Sequence, residues 1–249
     1  MSKRVVLVTG GSRGIGAETA VLAASRGWDV CISYNSNKEE ANKVIDRIKS
    51  EGSKALAVQA NVGVEENIVS LFQEVDKHFG RLDALVNNAG IITKQSRLVE
   101  MDAARVRNVM NINVVGTFVC SREAIKRMSN KDGGLGGVII NLSSVASRIG
   151  SPNDFIDYAS SKGAIDTMTY GLAKEVAEDG IRVNAVRPGL IKTDLHADAG
   201  DKDRPEKLKN FIPMKRSGSA IEVANLIVWL LSEEASYVNG ALVDVSGGR

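Results

Sequence analysis

The sequence has few cysteines, few histidines and no long apolar run, and each shortage excludes a class of protein. Among its 249 residues the two cysteines, Cys31 and Cys120, are too few for a disulfide framework, and neither stands in a metal-ligand spacing. Two histidines are too few for most zinc sites, so we expect no metal. The longest apolar runs, such as residues 226–231, span about six residues, whereas a membrane-spanning helix needs about 20.

An excess of charge of either sign is also absent. The 32 Lys and Arg residues against 30 Asp and Glu residues give a net charge of +2, mixed along the chain, which does not indicate a nucleic-acid partner. A hydrophobic fraction of 43% and a charged fraction of 25% are ordinary for a globular chain. No apolar core of a signal peptide follows Lys3 and Arg4. We expect a cytoplasmic enzyme or binding module with no membrane partner.

Short runs rich in Val and Ile alternate with amphipathic stretches from end to end. Apolar residues at consecutive positions are typical of parallel strands that are covered on both faces. Seven runs fit this description: 5–8, 30–33, 55–59, 84–86, 137–142, 181–186 and 241–245. Helical spacing separates them, as in Ala41, Val44, Ile45 and Ile48. The pattern predicts an α/β fold of the Rossmann-like, doubly wound type, a single domain with a seven-stranded parallel sheet flanked by helices on both faces.

One segment, residues 195–218, lacks clear periodicity. It is polar and charged and contains Pro205 and Pro213. Long irregular insertions in compact domains are often functional, so we predict a substrate lid, with a plain surface excursion as the alternative. His196 lies in this segment and is a candidate for substrate contact.

A glycine-rich loop, Thr-Gly-Gly-Ser-Arg-Gly-Ile-Gly at 9–16, follows the first run and opens into a helix. Glycines at this place let main-chain N–H groups approach a pyrophosphate at the helix N-terminus. We therefore predict a dinucleotide site there. Its first candidate ligands are Gly10, Ser12, Arg13, Gly14, Ile15 and Gly16.

The end of the second strand bears on which dinucleotide binds. NAD sites place a carboxylate there for the ribose diol, but Asp29 precedes this strand and so falls at the wrong end. The residues at the carboxyl end, including Tyr34, Asn35 and Ser36, carry no negative charge, and Arg13 is a suitable partner for a 2′-phosphate. The sequence therefore favours NADP, while NAD stays possible.

A proton-transfer group is indicated further along the chain. Tyr158 and Lys162 are four residues apart on a helix predicted to start near Asp157, so both side chains share one face. A phenol has a pKa near 10, and we expect the ammonium to lower it. Ser143 and Ser144 end the fifth strand, where a hydroxyl reaches the same crevice; capping a helix is the alternative role for Ser143.

Taken in order, these motifs resemble the short-chain dehydrogenase/reductase family over roughly residues 5–248. The matching pieces are T-G-G-S-R-G-I-G at 9–16, N-N-A-G at 87–90, Asn113 in N-I-N-V-V-G, Ser144, Y-A-S-S-K at 158–162, and R-P-G at 187–189 followed by Thr193. Residues 143–150 and 158–167 look most similar to bacterial members that resemble glucose dehydrogenases and 3-oxoacyl-carrier-protein reductases, a likeness that does not fix a substrate. The resemblance implies that Tyr158 is the general acid/base, Lys162 lowers its pKa and binds the nicotinamide ribose, Ser144 orients the substrate, with Ser143 as second choice, and Asn113 holds a water in a proton relay.

The resemblance also implies further cofactor contacts and an assembly. Asn61 stands where the family often has Asp near the adenine, so an amide replaces the charge there. Residues 87–90 are implied to line the adenine side and to steady the sheet. The remaining implied cofactor contacts are Val62, Asn88, Ala89 and Gly90 on that side, and Pro188, Gly189, Ile191 and Thr193 at the nicotinamide end. A homotetramer is the family expectation.

These observations predict an oxidoreductase that transfers a hydride between NADP(H) and a small carbonyl or secondary-alcohol substrate. The alternative is a catalytically silent, NADP(H)-sensing binding protein on the same fold. The complete set of Asn113, Ser144, Tyr158 and Lys162 favours the enzyme, because a sensor has no need of a phenol beside an ammonium.

Overall fold

The computed structural model describes residues 3–249, without the side chains of His196 and Asp198. Seven parallel strands form its main sheet: β1 (Val5–Val8), β2 (Asp29–Tyr34), β3 (Ala55–Gln59), β4 (Ala84–Asn87), β5 (Gly137–Leu142), β6 (Ile181–Pro188) and β9 (Leu242–Val245). Two further strands, β7 (Ile191–Lys192) and β8 (Gly218–Ser219), pair with each other in a small second sheet.

Helices connect the strands. They are α1 (Gly14–Ser25), α2 (Lys38–Ser50), α3 (Glu65–Phe79), α4 (Ala103–Met110), α5 (Gly116–Met128), α6 (Ala146–Ile149), α7 (Ile156–Glu175), α8 (Leu195–Asp198), α9 (Arg204–Lys207) and α10 (Ala220–Leu231). A π-helical turn, Asn111–Val115, joins α4 to α5, and such turns are frequent at functional sites. No helix within residues 3–249 has the length and apolar character to cross a bilayer.

The main sheet is covered on both faces. Along β1, Val6 and Val8 pack with α1, α2 and α10, while Val5 and Leu7 pack with α3, α5 and α7. Because successive side chains of a strand point to opposite faces, a strand buried on both sides needs an apolar residue at every position. This explains the continuous apolar runs and confirms the predicted fold class.

The strand order β3-β2-β1-β4-β5-β6-β9 reverses direction between β1 and β4. In such sheets the connections leave the two strands toward opposite sides, and a crevice opens at their carboxyl ends. The glycine loop after β1 and residues 88–90 after β4 lie at this point.

The segment 195–218 is more ordered than its lack of periodicity predicted. It contains the one-turn helices α8 and α9 and a short 3₁₀ turn, Lys209–Phe211. Pairing of Ile191 with Gly218 and of Lys192 with Ser219 holds its two ends together. No sequence pattern predicts this pairing, because two-residue strands are too short to show a period.

Candidate active site

A cleft of about 610 Å³ lies along the carboxyl ends of the strands of the main sheet. The glycine loop and the residues that follow β2, β4, β5 and β6 form its walls. No group of three or more His, Cys, Asp or Glu side chains within the described part of the chain is arranged to hold a metal ion.

The glycine loop has the shape that a phosphate requires. Gly10 and Gly14 have φ values of +63° and +57°, which favour glycine. Helix α1 begins at Gly14, and Arg13, its N-cap residue, makes no side-chain capping hydrogen bond. Gly14 and Ile15 line the cleft, so main-chain N–H groups of the first turn are placed to receive an anion. These residues fit the pyrophosphate of a dinucleotide.

Gly16 and Asn88 support this loop. A Cβ on Gly16 would lie 2.6 Å from the Gly10 carbonyl oxygen and 2.5 Å from Asn88 Nδ2. The same Asn88 amide donates hydrogen bonds to the main-chain oxygens of Thr9, at 2.8 Å, and Gly10, at 3.0 Å. Gly16 was predicted as a cofactor ligand, but it lies behind the cleft wall, where it permits close packing of the helix against Asn88.

The far end of the cleft is formed by residues that follow β2 and β3. Tyr34, Asn35, Ser36, Asn61 and Val62 all line it, as predicted. Asp29 lies at the opposite end of β2, where it accepts a hydrogen bond from the Lys54 main chain.

Sequence reasoning missed one acid at this far end. Glu40, near the start of α2, also lines the cleft, and its carboxylate pairs with Lys43 at 2.6 Å. The ammonium balances the negative charge of Glu40. The residue escaped notice because it belongs to a helix rather than to the end of β2.

Tyr158 and Lys162 lie one turn apart on α7, both in the cleft wall. Lys162 Nζ is 5.5 Å from the centre of the Tyr158 ring and donates a hydrogen bond of 2.6 Å to the Leu142 carbonyl at the end of β5. The Ser144 hydroxyl hydrogen-bonds to the Tyr158 phenol. The structure thus brings together three of the four side chains that the sequence singled out, Ser144, Tyr158 and Lys162.

Burial controls the ionisation of both groups. It raises the pKa of Tyr158 to about 12, and the hydrogen bond with Ser144 only partly opposes this rise. It lowers the pKa of Lys162 to about 8, against the opposing charge of Asp166. The phenol pKa therefore lies above its ordinary value and not, as we expected, below it, because desolvation is the largest influence on it. The contribution of the Lys162 ammonium to that pKa stays a prediction.

The two serines differ in their partners. Ser143 donates a hydrogen bond to the Lys162 carbonyl at 3.2 Å, which fixes α7 against β5. Ser144 accepts a hydrogen bond from the Ala146 amide at 3.1 Å and contacts the phenol. Of the two hydroxyls, that of Ser144 is the one placed beside the phenol.

Asn113 lies behind the cleft wall in the π-helical turn. Its amide accepts a hydrogen bond from the Ile91 N–H at 2.8 Å and donates to the Ile91 carbonyl at 2.9 Å and to Ser161 at 3.1 Å. Its side chain is therefore engaged by protein groups and does not line the cleft. A residue that holds a water in the site was expected to line it. It ties the chain after β4 to α7.

Asn87 is likewise buried away from the cleft. Its amide donates to Ser121 at 3.0 Å and to Asn141 at 2.9 Å, which links β4 to β5 and α5. Asn87 does not line the cleft, where we expected it to help line the adenine side, and its hydrogen bonds support its expected part in steadying the sheet.

All other predicted cofactor residues line the cleft. They are Gly10, Ser12, Arg13, Gly14, Ile15, Tyr34, Asn35, Ser36, Asn61, Val62, Asn88, Ala89, Gly90, Tyr158, Lys162, Pro188, Gly189, Ile191 and Thr193. The predicted contact of His196 concerns a side chain outside the described residues. Sequence reasoning also missed four residues near the Tyr158 end, since their contacts form only in the folded chain: Phe155, Asp194, Arg204 and Arg249.

Comparisons with known proteins agree with this geometry. A family model described as enoyl-(acyl carrier protein) reductase matches residues 10–249. The chain is 51% identical over 245 residues to the uncharacterised oxidoreductase YgfF of Escherichia coli strain K12, covering 98% of this chain and 99% of the relative. It is 38% identical over 248 residues to glucose 1-dehydrogenase 2 of Bacillus subtilis, covering 100% and 95%.

A solved structure adds a cofactor to the comparison. A short chain dehydrogenase of Burkholderia cenocepacia in complex with NADP superposes with a TM-score of 0.90 at 32% identity, covering 100% of this chain and 98% of the other. Its similarity extends over the whole sheet and the cleft.

Proposed function

The chain belongs to the short-chain dehydrogenase/reductase family of oxidoreductases, and on that premise we propose that it uses NADP(H) to interconvert a small carbonyl compound and the corresponding secondary alcohol. The observation that carries the proposal is the grouping of Ser144, Tyr158 and Lys162 in one cleft with a phosphate-binding glycine loop. The nicotinamide, when bound, gives a hydride to the carbonyl carbon or removes it from the alcohol.

Tyr158 is the proton donor in the direction of reduction. With a pKa of about 12, its phenol keeps its proton at neutral pH. As the carbonyl carbon gains a hydride, its oxygen gains negative charge and takes the proton from Tyr158 Oη, which leaves an alcohol and a phenolate. The Ser144 hydroxyl, beside the phenol, holds the carbonyl oxygen. A proton from solvent then restores the phenol.

Lys162 and Asn113 serve this proton transfer from the protein side. The Lys162 ammonium, 5.5 Å from the phenol ring, favours the transient phenolate and binds the nicotinamide ribose. Asn113 acts as a positioning residue, because its bonds to Ile91 and Ser161 hold the cleft wall against α7. The other cofactor contacts are those of the cleft-lining residues given above.

We infer a preference for NADP over NAD. Arg13 in the glycine loop and the uncharged residues Asn35 and Ser36 line the adenine end, and the Glu40 carboxylate there is neutralised by Lys43. A guanidinium is a good partner for a 2′-phosphate.

The assembly, the location and the lid complete the proposal. Half-exposed apolar side chains on different helices, Val115, Phe118 and Trp229, support a homotetramer. The composition supports a cytoplasmic location.

Segment 195–218 is proposed as the substrate lid, because Leu195 and Arg204 line the cleft while pairing of β7 with β8 anchors its ends.

Replacement of Tyr158 by phenylalanine tests the chemistry. We expect wild-type protein to oxidise NADPH in the presence of small ketones and aldehydes, and Tyr158→Phe to lower kcat about 10²- to 10⁴-fold with NADPH binding intact. Tyr237→Phe, at a fully exposed ring, is the matched control and should keep full activity. Equal turnover by Tyr158→Phe would show the proton donor to be wrong, and NADPH binding without turnover of any carbonyl would favour the sensing protein.

Replacement of Arg13 tests the cofactor preference. We expect wild-type protein to bind NADPH more tightly than NADH, and Arg13→Gln to weaken NADPH binding about 10- to 100-fold with little effect on NADH, since one charged contact to phosphate is lost. Fluorescence titration measures both affinities. Arg26→Gln, at the exposed other end of α1, is the control. Tighter binding of NADH by the wild type would contradict the preference.

A further inference from the structure

Two arginines that the proposed chemistry does not use lie in the cleft wall. Arg204 comes from α9 in the segment 195–218, and Arg249 follows the glycines after β9. They are far apart in the sequence, and neither belongs to a motif. Arginine side chains directed toward a ligand cleft need an explanation, because a guanidinium always carries its charge.

Arg204 lies near the Tyr158 end of the cleft. Its guanidinium is 5.0 Å from the centre of the Phe155 ring and pairs with the Asp154 carboxylate. Phe155 belongs to a small apolar cluster against which Tyr158 and Leu195 also pack. The adenine-end residues, by contrast, follow β2 and β3 on the other side of the sheet's crossover. Arg204 therefore belongs to the part of the cleft that receives the substrate.

Arg249 is partly buried beside Arg204. Burial lowers its pKa most, the positive charge of Arg204 lowers it further, and Asp154 opposes both effects. Its guanidinium makes no hydrogen bond or ion pair with any residue in 3–249 for which the structure describes a side chain. Only its main chain is engaged, as when its carbonyl accepts a hydrogen bond of 3.1 Å from Arg148.

Among the described side chains, Arg249 has no carboxylate at ion-pair distance. Asp154 is bound by Arg204 and by Gln95, and its charge acts on Arg249 from outside hydrogen-bond distance. Asp194, the acid of the cleft wall at this end, is exposed to solvent. An unmatched guanidinium that is half buried is costly, and a bound anion would remove that cost.

We propose that the substrate is a carbonyl compound carrying a carboxylate, which Arg249 binds with help from Arg204. This inference rests on the proposed function and narrows its substrate class. The planar guanidinium donates paired hydrogen bonds to a carboxylate, and holding the acid end of the molecule positions the carbonyl at Ser144 and Tyr158. A phosphate presents similar oxygens, so a phosphorylated ketone is the second anion to be tested.

The test compares acids with their neutral esters. Straight-chain oxo acids, with the carbonyl and carboxylate separated by a varied number of carbons, are assayed with NADPH beside their methyl esters and dihydroxyacetone phosphate. We expect kcat/KM for the best oxo acid to exceed that of its ester at least about 10-fold. Arg249→Gln should lower kcat/KM for the oxo acid about 10- to 100-fold. It should leave kcat/KM for the ester within about twofold of the wild-type value. A preference for the phosphate over every oxo acid would overturn the carboxylate assignment.

Control variants and a binding measurement make the result specific. Lys207→Gln, on α9 beside Arg204 but paired with Asp201 outside the cleft wall, should change neither substrate class. Arg249→Lys should recover part of the acid's kcat/KM. Equal kcat/KM for acids and esters, or an equal loss for both in Arg249→Gln, would overturn the inference while ketone reduction still stands.

The binding arm separates failure of the inference from failure of the proposed function. Hydroxy acids, the corresponding alcohols, are titrated by calorimetry into protein saturated with NADP. If no carbonyl is reduced but a hydroxy acid binds the wild type and not Arg249→Gln, the anion site stands and the proposed chemistry is wrong. If no hydroxy acid binds and neutral ketones are reduced, the anion site is wrong.

Discussion

Removal from water has the largest effect on the pKa values of the two titratable residues Tyr158 and Lys162 in this cleft. Tyr158 and Lys162 have opposite charges when ionised. Burial nevertheless raises the pKa of Tyr158 and lowers the pKa of Lys162, so it favours the neutral form of each side chain. The consequence is a phenol that holds its proton and an ammonium that is protonated only up to about pH 8. At neutral pH the phenol keeps its proton and the lysine is protonated, which are the forms that the proposed carbonyl reduction uses.

The Lys162 ionisation predicts a pH dependence. Because the proposed binding of the ribose and the proposed support of the phenolate both use the ammonium, we expect kcat/KM for NADPH to fall as the pH rises through about 8. Asp166, one turn further along α7, raises the Lys162 pKa, so Asp166→Asn should move this fall to lower pH. The measurement is kcat/KM for NADPH from about pH 6 to about pH 10.

Asp46→Asn, on the exposed face of α2, is the control for this experiment. It removes the same charge from the chain at a site away from the cleft wall, so its profile should match the wild type. A profile that stays flat through pH 9 in the wild type would show that Lys162 is not needed in its charged form.

At the scale of elements, the glycine loop and α1 are held by close packing as much as by conformation. We expect Gly16→Ala to weaken NADPH binding, because the new Cβ would meet the Gly10 carbonyl and the Asn88 amide and displace the loop. Fluorescence titration gives the affinity and thermal unfolding gives the stability.

Gly171→Ala in α7 is the control for Gly16→Ala, because it is the same substitution at a helix position with free space. A Cβ there meets nothing within 4 Å, so the variant should gain about 0.5–1 kcal/mol of unfolding free energy, as expected for replacing glycine in a helix, with unchanged NADPH affinity. An undiminished affinity in Gly16→Ala would mean that the loop adapts without cost.

At the scale of the whole molecule, several large apolar side chains remain exposed, including one on α5 and one on α10. Phe118 on α5 and Trp229 on α10 are partly exposed. Their helices cover opposite faces of the main sheet, so these two side chains lie on the outer surfaces of the helices. We expect light scattering to give four times the mass of one chain, and Phe118→Glu to give a smaller particle because a charge would be buried at a contact. Leu135→Glu, at an isolated exposed loop position, should keep the wild-type mass. A single-chain mass for the wild type would contradict the tetramer.

The sequence by itself determined the layers of the fold and most of the cleft. Strands buried on both faces must be apolar at every position, so the seven runs were legible, and the glycine loop and the Tyr158–Lys162 spacing are local patterns within one turn. The parts of this protein that depend on its short β7–β8 pairing, on the burial of the phenol, and on the approach of Arg204 to Arg249 were decided only by the tertiary structure. Desolvation and charge balance depend on which residues, distant in the sequence, lie next to each other in the folded chain. A local sequence pattern does not contain that information.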